Sequence, residues 1–384
     1  MRNVALDLGN RITYARADGG VIVERRVFNS LTEAESLLGP NTSPARVAIE
    51  ASREAWFVHD TLTGWGHQVT LVDTTRVREL GIGHHKRKND RIDAGILAVA
   101  IEKGTLPKAH LLSAARRRLR EQLGLHRSLT ESRASFATQL RGLLRARGVR
   151  LVKCAVARLP AVVEARCALA ERELVKALRV AIEQLTHLLQ GVDLEIERLA
   201  AEEPAILRLK TVPGVATIVA SAFVSVIDDP KRFEHAHQVE AYVGLVPSEF
   251  TSGRRKLGSI TKQGNSYLRS MLVQAAWSII RSRQSTPLKT WALAVQRRRG
   301  KHVAAVALAR RLAGVLWAIW YDGSVFEALH VGRASAEGLI HQARSIEFTA
   351  EQLRLQAAAA ERVAAALELA RRKTLVPHQR KATV

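Results

Sequence analysis

Apolar residues in the first 110 positions recur with the two-residue period of strands or the longer period of helices. The strand-like runs are Asn3–Leu8, Ile12–Arg16, Val21–Phe28, Arg46–Glu50 and Gln68–Val72. The helix-like runs are Leu31–Leu38, Trp56–Trp65, Thr75–Gly81 and Asp90–Lys103. Residues 1–110 are therefore predicted to form an α/β domain in which three strands come first and helices then alternate with strands.

Residues 111–205 show little β pattern and are predicted to form a helical, coiled-coil linker. The first part is rich in arginine, and the second carries apolar residues at alternating steps of three and four. These residues are Val175, Leu178, Ile182, Leu185, Leu189, Val192, Ile196 and Leu199. An amphipathic helix packed on its own domain can show this pattern, but an unbroken heptad register favours a coiled-coil hairpin or a dimer seam.

Residues 206–330 are predicted to form a second, mainly helical domain, and residues 331–384 a helical, basic tail. Helices are predicted at Ser266–Ser282 and Lys301–Tyr321, with a polar loop before them that ends at Gly264. Pro213-Gly214-Val215 followed by an apolar helix is similar to half of a helix-hairpin-helix, whose N–H groups can face a phosphate. Such a turn is common and carries little weight alone.

The charge of the chain indicates a polyanionic partner. Lysine and arginine number 59 against 36 aspartate and glutamate, giving a net charge of +23 and an isoelectric point near 11.0. Clusters of cations occur at 116–118, 254–256, 297–299 and 371–373. Nucleic acid is the first candidate and an anionic membrane surface the second. Aromatic residues make up only 5% of the chain, which argues against a base-stacking platform.

The same sequence predicts a cytoplasmic, nucleoid-associated protein. Cys154 and Cys167 lack metal-ligand spacing and are predicted to be reduced thiols. No N-terminal signal is predicted, because the chain enters a strand pattern at once. The longest apolar run, around Val303–Trp320, contains two arginines, so no membrane span is predicted.

Four acidic residues fall where one fold would bring them together. Asp7 interrupts the first strand, Glu50 ends the fourth, and Asp90 and Asp93 lie three residues apart on one helix face. The element order is that of the ribonuclease H-like fold, in which the first strand, the fourth strand and a late helix supply such acids. Buried carboxylates need compensation, and Mg²⁺ takes oxygen ligands and bridges phosphates. The four acids therefore predict a Mg²⁺ site for chemistry on nucleic acid.

Each acid also has a simpler explanation by itself. Asp7 can be a turn residue, Glu50 a surface charge at a strand end, and Asp90 a helix N-cap with Asp93 complementing the helix dipole. Their joint occurrence in a basic chain favours the metal site. Glu54 is a rival for Glu50, which we prefer because it ends the strand.

Basic residues just before the Asp90–Asp93 pair are predicted to bind nucleic acid. These are Lys86, Arg87 and Lys88, preceded by His84 and His85. The two histidines are poor metal ligands because adjacent side chains point apart. A basic loop on the phosphate backbone is the preferred interpretation.

A second constellation surrounds Ser252. The cations that follow it, also predicted to bind nucleic acid, are Arg254, Arg255, Lys256, Lys262 and Arg269. Serine needs positive charge near the phosphate and an activating group or metal before it can attack a phosphodiester. A polar loop in which Ser252 is only a turn residue accounts for the same sequence pattern equally well. Ser248, Ser259 and Ser266 are rivals, but Ser266 is predicted to cap the next helix and only Ser252 precedes the Gly-Arg-Arg-Lys run.

At these motifs the chain resembles the DEDD-type transposases of bacterial insertion sequences. That family includes the Piv- and MooV-like DNA invertases and the bridge-RNA-guided serine recombinases. Asp7, Glu50, Asp90 and Asp93 match its acids, the last two in a Lys-x-Asp-x-x-Asp-Ala signature. The C-terminal match comprises Pro213-Gly214-Val215, Ala241–Pro247, Ser252-Gly253, Gly264-Asn265 with Leu268-Arg269, and Ala307–Leu312. The resemblance covers most of residues 1–330, and the tail beyond carries no signature of the family.

The resemblance implies a RuvC-like N-terminal domain, a coiled-coil linker and a C-terminal transposase domain. It implies that Ser252 attacks a DNA phosphate and forms a covalent 5′-linked intermediate, while the four acids hold Mg²⁺ at the same composite site. The implied partners are double-stranded DNA of the element ends and target, a structured guide RNA, and further copies of the chain in a homodimer or homotetramer. No membrane partner is implied.

Two other functions stay open from the sequence. A Holliday-junction resolvase-like nuclease would use the four acids and Mg²⁺ to activate water, and Ser252 would be incidental. A non-catalytic DNA-bridging protein would use the coiled coil and bind DNA with steep salt dependence and no need for Mg²⁺.

Overall fold

The computed structural model describes residues 1–73, 76, 90–250 and 256–326, with the backbone alone at 90–93, 250, 256 and 257. The chain divides into two compact units, Met1–Ser113 and Ala114–Val384. Apart from residue 76, the predicted helix at Thr75–Gly81 lies outside the described residues, as does the tail after residue 330. The predicted domain boundaries at 205 and 330 stay predictions.

The first unit is built on a mixed sheet. The strands are β1 (Arg2–Leu8), β2 (Ile12–Asp18), β3 (Val21–Phe28), β4 (Ala45–Glu50) and β5 (Gln68–Val72). Their spatial order is β3-β2-β1-β4-β5, with β1 to β3 antiparallel and β4 and β5 parallel to β1. This α/β arrangement fits the predicted ribonuclease H-like fold, and β1 lies at its centre.

Helices cover both faces of this sheet. On one face, α1 (Glu35–Leu38, after a 3-10 turn at Thr32–Ala34) and α2 (Ala55–Gly64) pack on large apolar residues. On the other, α3 (Asp90–Glu102) packs on small residues of the three central strands. The sheet residues beneath α3 include Ala5, Ala15, Ala17 and Ala48. Alanines on this face let the helix approach the sheet closely.

The second unit contains two long helices that pack against each other. They are α4 (Ala114–Ala146) and α7 (Lys176–Ala201). They run antiparallel, because Arg118 near the start of α4 pairs with Glu195 near the end of α7, while Arg133 further along donates to Thr186. Two short helices, α5 (Leu159–Arg166) and α6 (Leu169–Leu174), lie between them in the chain.

The predicted heptad seam is buried within this chain. Every seventh residue of the seam is buried, namely Val175, Ile182, Leu189 and Ile196. Ile196 shares a core with Leu123 of α4, and Ile182 shares a second core with Ala137. The seam therefore packs as an antiparallel helical hairpin, and burying it does not require a second copy.

The remaining helices enclose the main core of the second unit. They are α8 (Pro204–Leu209), α9 (Thr217–Ile227), α10 (Ala236–Tyr242), α11 (Ser266–Arg281), α12 (Pro287–Arg299) and α13 (Lys301–Asp322). A hairpin of β6 (Pro247–Phe250) and β7 (Lys256–Ile260) follows α10. The sequence predicts α11 and α13 within one residue, but it gives a polar loop where the hairpin lies.

Helix α13 is the one described helix whose length and composition would let it cross a membrane, with a mean hydropathy of 1.6. By length and composition alone, this helix departs from the expectation that no membrane span is present. Half of the stretch is buried inside the protein, where Leu308, Leu312 and Leu316 join the main core. Arg310 pairs with Glu240 of α10. Its packing is that of a core helix.

Candidate active site

Asp7 and Glu50 lie side by side at the ends of neighbouring parallel strands. Leu6 of β1 pairs with Ile49 of β4, and each acid is the next residue in its strand. Leu6 and Ile49 face α1 and α2, so the alternation of strand side chains directs both acids to the opposite face. That face is the one that α3 covers.

The two carboxylates differ in exposure. Asp7 is 8% exposed and lies opposite Thr13 of β2, whereas Glu50 is half-buried. Asp7 is therefore a central strand residue, which removes the explanation of it as a turn residue. A carboxylate this deeply buried requires strong local compensation. Glu54, the rival acid, is exposed and precedes α2, so its position favours Glu50.

The direction of α3 places its first turn at the same edge of the sheet. The carboxylate of Glu102, the last residue of α3, accepts hydrogen bonds from the backbone N–H groups of Gly19 and Gly20, each at 2.9 Å. Those glycines form the β2–β3 turn at the edge where β1 begins. A 13-residue helix is about 18 Å long, close to the length of β1, so α3 begins near the end of β1.

The predicted cation site combines Asp7 and Glu50 with two acids of α3. Asp90 and Asp93 lie in the first turn of α3, although their side chains are outside the described set. The donors are all carboxylate oxygens, which suit Mg²⁺. Among the side chains that the structure describes, no group of three metal-ligating residues converges. The four-acid site stays a prediction, as does the alternative of Asp90 as an N-cap.

Ser252 belongs to the connection between β6 and β7. Phe250 pairs with Lys256 at the last residue pair of the hairpin, and residues 251–255 connect the two strands in the sequence. Ser252, Arg254 and Arg255 lie outside the described residues, as do Lys86, Arg87 and Lys88, and Lys256 is described only as backbone. Their predicted roles are untested.

The base of this hairpin is held by two glycines. Gly244 has φ of 75° and Gly264 has φ of 73°. A Cβ atom on Gly244 would lie 2.1 Å from the carbonyl oxygen of Gln263, and one on Gly264 would lie 2.0 Å from that of Tyr242. The two backbone segments therefore touch where any other residue would collide. The N–H of Lys262 also donates to the Gly244 carbonyl at 3.1 Å.

Arg269 ties the same two segments together. Its Nη1 atom donates to the carbonyl oxygen of Val243 before the hairpin and to that of Gln263 after it, both at 2.9 Å. The predicted contact of Arg269 with nucleic acid is untested, and this structural role was not visible in the sequence. Lys262 is exposed with φ of 57°, so its side chain is accessible from solvent.

The rival serines occupy structural or peripheral positions. The Ser248 hydroxyl donates to the carbonyl oxygen of Ser259 across the hairpin at 2.8 Å. Ser266 does not cap α11, which corrects that prediction: Asn265 is the N-cap and its side chain accepts from the N–H of Leu268 at 2.9 Å. The amide oxygen satisfies the helix N-terminus one residue earlier than expected.

Many arginines of the predicted basic region form ion pairs. In the first cluster, Arg116 pairs with Glu203, and Arg118 with Glu195. Hydrogen bonds from Arg198 and Arg118 lower the pKa of Glu195 to about 2. Arginine count alone therefore overstates the surface that is free for nucleic acid.

Two family models match the chain. One, described as "Transposase" and named for the DEDD type of IS110 elements, matches residues 9–147. The other, described as "Transposase IS116/IS110/IS902 family", matches residues 207–291. The first range contains Glu50 and α3, and the second contains the β6–β7 hairpin.

The chain is also similar to several bacterial proteins. It is 29% identical to the transposase for insertion sequence element IS1328 of Yersinia enterocolitica, over 84% of this chain and 98% of that protein. It is 29% identical to a Pseudomonas aeruginosa protein named "Probable family 20 transposase", over 72% and 84%. It is 26% identical to the transposase for insertion sequence element IS1111A of Coxiella burnetii, over 71% and 77%.

Proposed function

Because the chain belongs to the DEDD-type family of insertion-sequence transposases, we propose that it cuts and rejoins DNA with Ser252 as nucleophile and a magnesium site. Family membership makes it an enzyme that acts on DNA. The observation that carries the finer proposal is the placement of Asp7 and Glu50 on the sheet face beneath α3. This is the edge at which the helix bearing Asp90 and Asp93 begins.

The four acids are the residues that hold the cation in this proposal. Mg²⁺ bound there supplies a Lewis acid that stabilises negative charge on a phosphate. Burial of Asp7 supports this role, because it fixes the carboxylate and lowers the local dielectric. The proposed ligands are three aspartates and one glutamate. Because all of them are oxygen donors, they favour Mg²⁺ over softer metals.

Ser252 carries the covalent step. Its hydroxyl oxygen forms a bond to phosphorus while the bond from phosphorus to the 3′ oxygen breaks. The serine gives up its proton to a base, the leaving 3′ oxygen takes a proton from water and becomes a hydroxyl, and the 5′ phosphate stays on the serine. The cations Arg254, Arg255, Lys256 and Lys262 stabilise the charge on the phosphate. Attack by the 3′ hydroxyl of another strand on the phosphoserine reverses the step and exchanges the strands.

The partners in this proposal follow from the reaction. The DNA partners are the double-stranded element ends and the target. A structured guide RNA that pairs with both, and assembly as a homodimer or homotetramer, are part of the same proposal. The reaction takes place in the cytoplasm, on nucleoid DNA.

The test is detection of the covalent adduct. The protein is incubated with Mg²⁺, labelled element-end and target DNA and the RNA encoded by the element, and denaturing gels are run with and without protease. We expect a shifted band that protease removes and that Ser252→Ala lacks. Ser259→Ala, which removes an exposed hydroxyl from the same hairpin, is the matched control and should keep the band.

The other outcomes identify the competing functions. Adduct that persists in Ser252→Ala would refute the serine assignment. Cleaved DNA with free 5′ phosphates and no adduct would instead establish a metal-dependent nuclease. Binding that is steeply salt-dependent, with no cleavage under any metal condition, would establish a DNA-bridging protein.

A further inference from the structure

We propose that an arginine-lined pocket at the far end of the helical hairpin binds the phosphodiester backbone of nucleic acid. The inference uses the action of this family on DNA but does not rest on Ser252 or on the acids. The pocket has a volume of about 420 Å³ and is lined by Arg141, Arg145, Val149, Arg150 and Leu151. This volume lies in the range of small-ligand sites, roughly 300–1,000 Å³.

The end of helix α4 builds the pocket. Gly148, at φ of 79°, ends the helix: its N–H donates to the carbonyl of Arg145, and the N–H of Val149 donates to that of Leu144. This pair of bonds is a Schellman motif, and Val149 packs on the core that contains Leu144. The chain therefore turns back sharply, and Arg150 joins the pocket that Arg141 and Arg145 line one helical turn apart.

One of the three arginines is held in place. Arg141 is half-buried, and its Nη2 atom donates to the carbonyl oxygen of Cys154 at 3.3 Å. Arg145 and Arg150 are exposed, and within the described part of the chain no ion pair involves any of the three. The nearby acid Glu164 pairs with Arg172 and Arg179 instead. The pocket therefore presents guanidinium groups that carboxylates do not neutralise.

The local sequence strengthens this charge. Residues 132–163 contain no aspartate or glutamate. They contain seven cations, which are Arg133, Arg141, Arg145, Arg147, Arg150, Lys153 and Arg158. Basic side chains in a last helical turn also complement the helix dipole, but that effect needs one cation rather than a three-sided pocket. A planar guanidinium matches phosphate oxygens in a bidentate way.

The residues that line the pocket favour binding of the phosphodiester backbone of nucleic acid over binding of a nucleobase. Val149 and Leu151 give the pocket an aliphatic part, and none of the described residues that line it is aromatic, so base stacking is not the proposed mode of binding. The pocket also lies far from the main core of the second unit. Leu123 belongs to that core and Leu144 to the core under the pocket, and 21 residues of one helix separate them by about 30 Å. Contact here would anchor nucleic acid away from the β6–β7 hairpin.

The test compares two double variants in the full chain. Arg145→Gln with Arg150→Gln removes two pocket cations and leaves Arg141 to hold the loop. Arg158→Gln with Arg166→Gln is the control, because it removes two exposed cations from the neighbouring segment outside the pocket. Thermal melting should show that both variants fold.

Binding is measured by fluorescence anisotropy with a short labelled DNA duplex and, separately, with a labelled RNA stem-loop. We expect the pocket variant to lose about tenfold or more in affinity and the slope of log Kd against log salt to fall by about two. The control should lose clearly less. A loss confined to the duplex identifies DNA as the occupant, and one confined to the RNA identifies RNA.

Unchanged affinity for both probes would overturn the proposal. Equal losses in the pocket and control variants would also overturn it, because they would show diffuse charge rather than a site. The readout is equilibrium binding, so the same difference should be present on a Ser252→Ala background. Failure of this proposal is therefore distinguishable from failure of the serine mechanism.

Discussion

Gly244 and Gly264 cross at the base of the β6–β7 hairpin, and neither position has room for a Cβ atom. The nearest atom to such a Cβ is a backbone carbonyl oxygen, at 2.1 Å for Gly244 and 2.0 Å for Gly264, and it cannot rotate away as a side chain can. Both glycines also have φ near +75°, a region that other residues rarely adopt. The hairpin that carries Ser252 therefore leaves the helical core from a fixed point.

Alanine at either glycine should destabilise this base. We expect Gly264→Ala to lower the free energy of unfolding by roughly 2 kcal/mol or more, since strain and a backbone collision add. Chemical denaturation measures the change. Gly191→Ala is the control, because that glycine lies inside α7 with no atom within 4 Å of its Cβ direction. The control should gain about 0.5–1 kcal/mol from helix propensity, and a similar gain in Gly264→Ala would contradict the crossing.

Arg269 should act by positioning the hairpin and not chiefly by holding DNA. Arg269→Gln removes the hydrogen bonds to the Val243 and Gln263 carbonyls and should destabilise the protein by about 1–3 kcal/mol. At saturating DNA the yield of adduct should fall, whereas Kd should change little. Arg269→Lys should restore part of the yield, because an ammonium group can donate to both carbonyls.

Lys262→Gln is the informative comparison for Arg269. Lys262 is exposed, so its loss should weaken DNA binding and leave stability unchanged. If Arg269→Gln instead reproduced the Lys262→Gln behaviour, with weaker binding and unchanged stability, Arg269 would be a phosphate contact and the positioning role would be wrong.

Asp7→Asn should abolish activity that depends on metal. The change keeps the size of the side chain and removes the charge of Asp7, which is more deeply buried than Glu50. Mg²⁺ should raise the melting temperature of the wild type, because a ligand that binds the folded state stabilises it. This shift should disappear in Asp7→Asn and in Glu50→Gln. Glu54→Gln should keep both the shift and the activity, and loss of both in that variant would transfer the role to Glu54.

The positions of Asp7 and Glu50 near the ends of two strands were predictable from the sequence, and the reasons are local. Asp7 is a single charge in an apolar run, and Glu50 ends a second apolar run. Each acid can therefore be identified as a candidate from its sequence neighbours alone. Strand boundaries in the first unit agree with the predicted ones within two residues, because strong apolar runs define them. Period-two alternation then decides the face on which both acids lie.

The β6–β7 hairpin and the contacts at its base could not be predicted from the sequence. Its strands, Pro247–Phe250 and Lys256–Ile260, are short and mix proline, serine, glutamate and lysine, so no alternation indicates them. Gly244 lies against the backbone of Gln263 and Gly264 against that of Tyr242, contacts between distant parts of the sequence that only the folded chain reveals. The sequence displays the charge of Arg269 but not the two carbonyls that it contacts. Helix α12 did offer a signal that was missed, with Thr286 as N-cap and proline as the next residue.

The helical hairpin allows a prediction about where the heptad seam is buried. Ile182 is fully buried in a core shared with Ala137 of α4, whereas Leu188, six residues later in α7, is 53% exposed. Ile182→Ala should therefore cost about 2–5 kcal/mol of unfolding free energy, and Leu188→Ala no more than about 0.5 kcal/mol. Because α4 of the same chain supplies the contacts, the Ile182→Ala loss should not depend on protein concentration in denaturation experiments. A loss that grew on dilution would place the seam between two copies and would refute the packing of α7 on α4, since dissociation responds to dilution and intrachain packing does not.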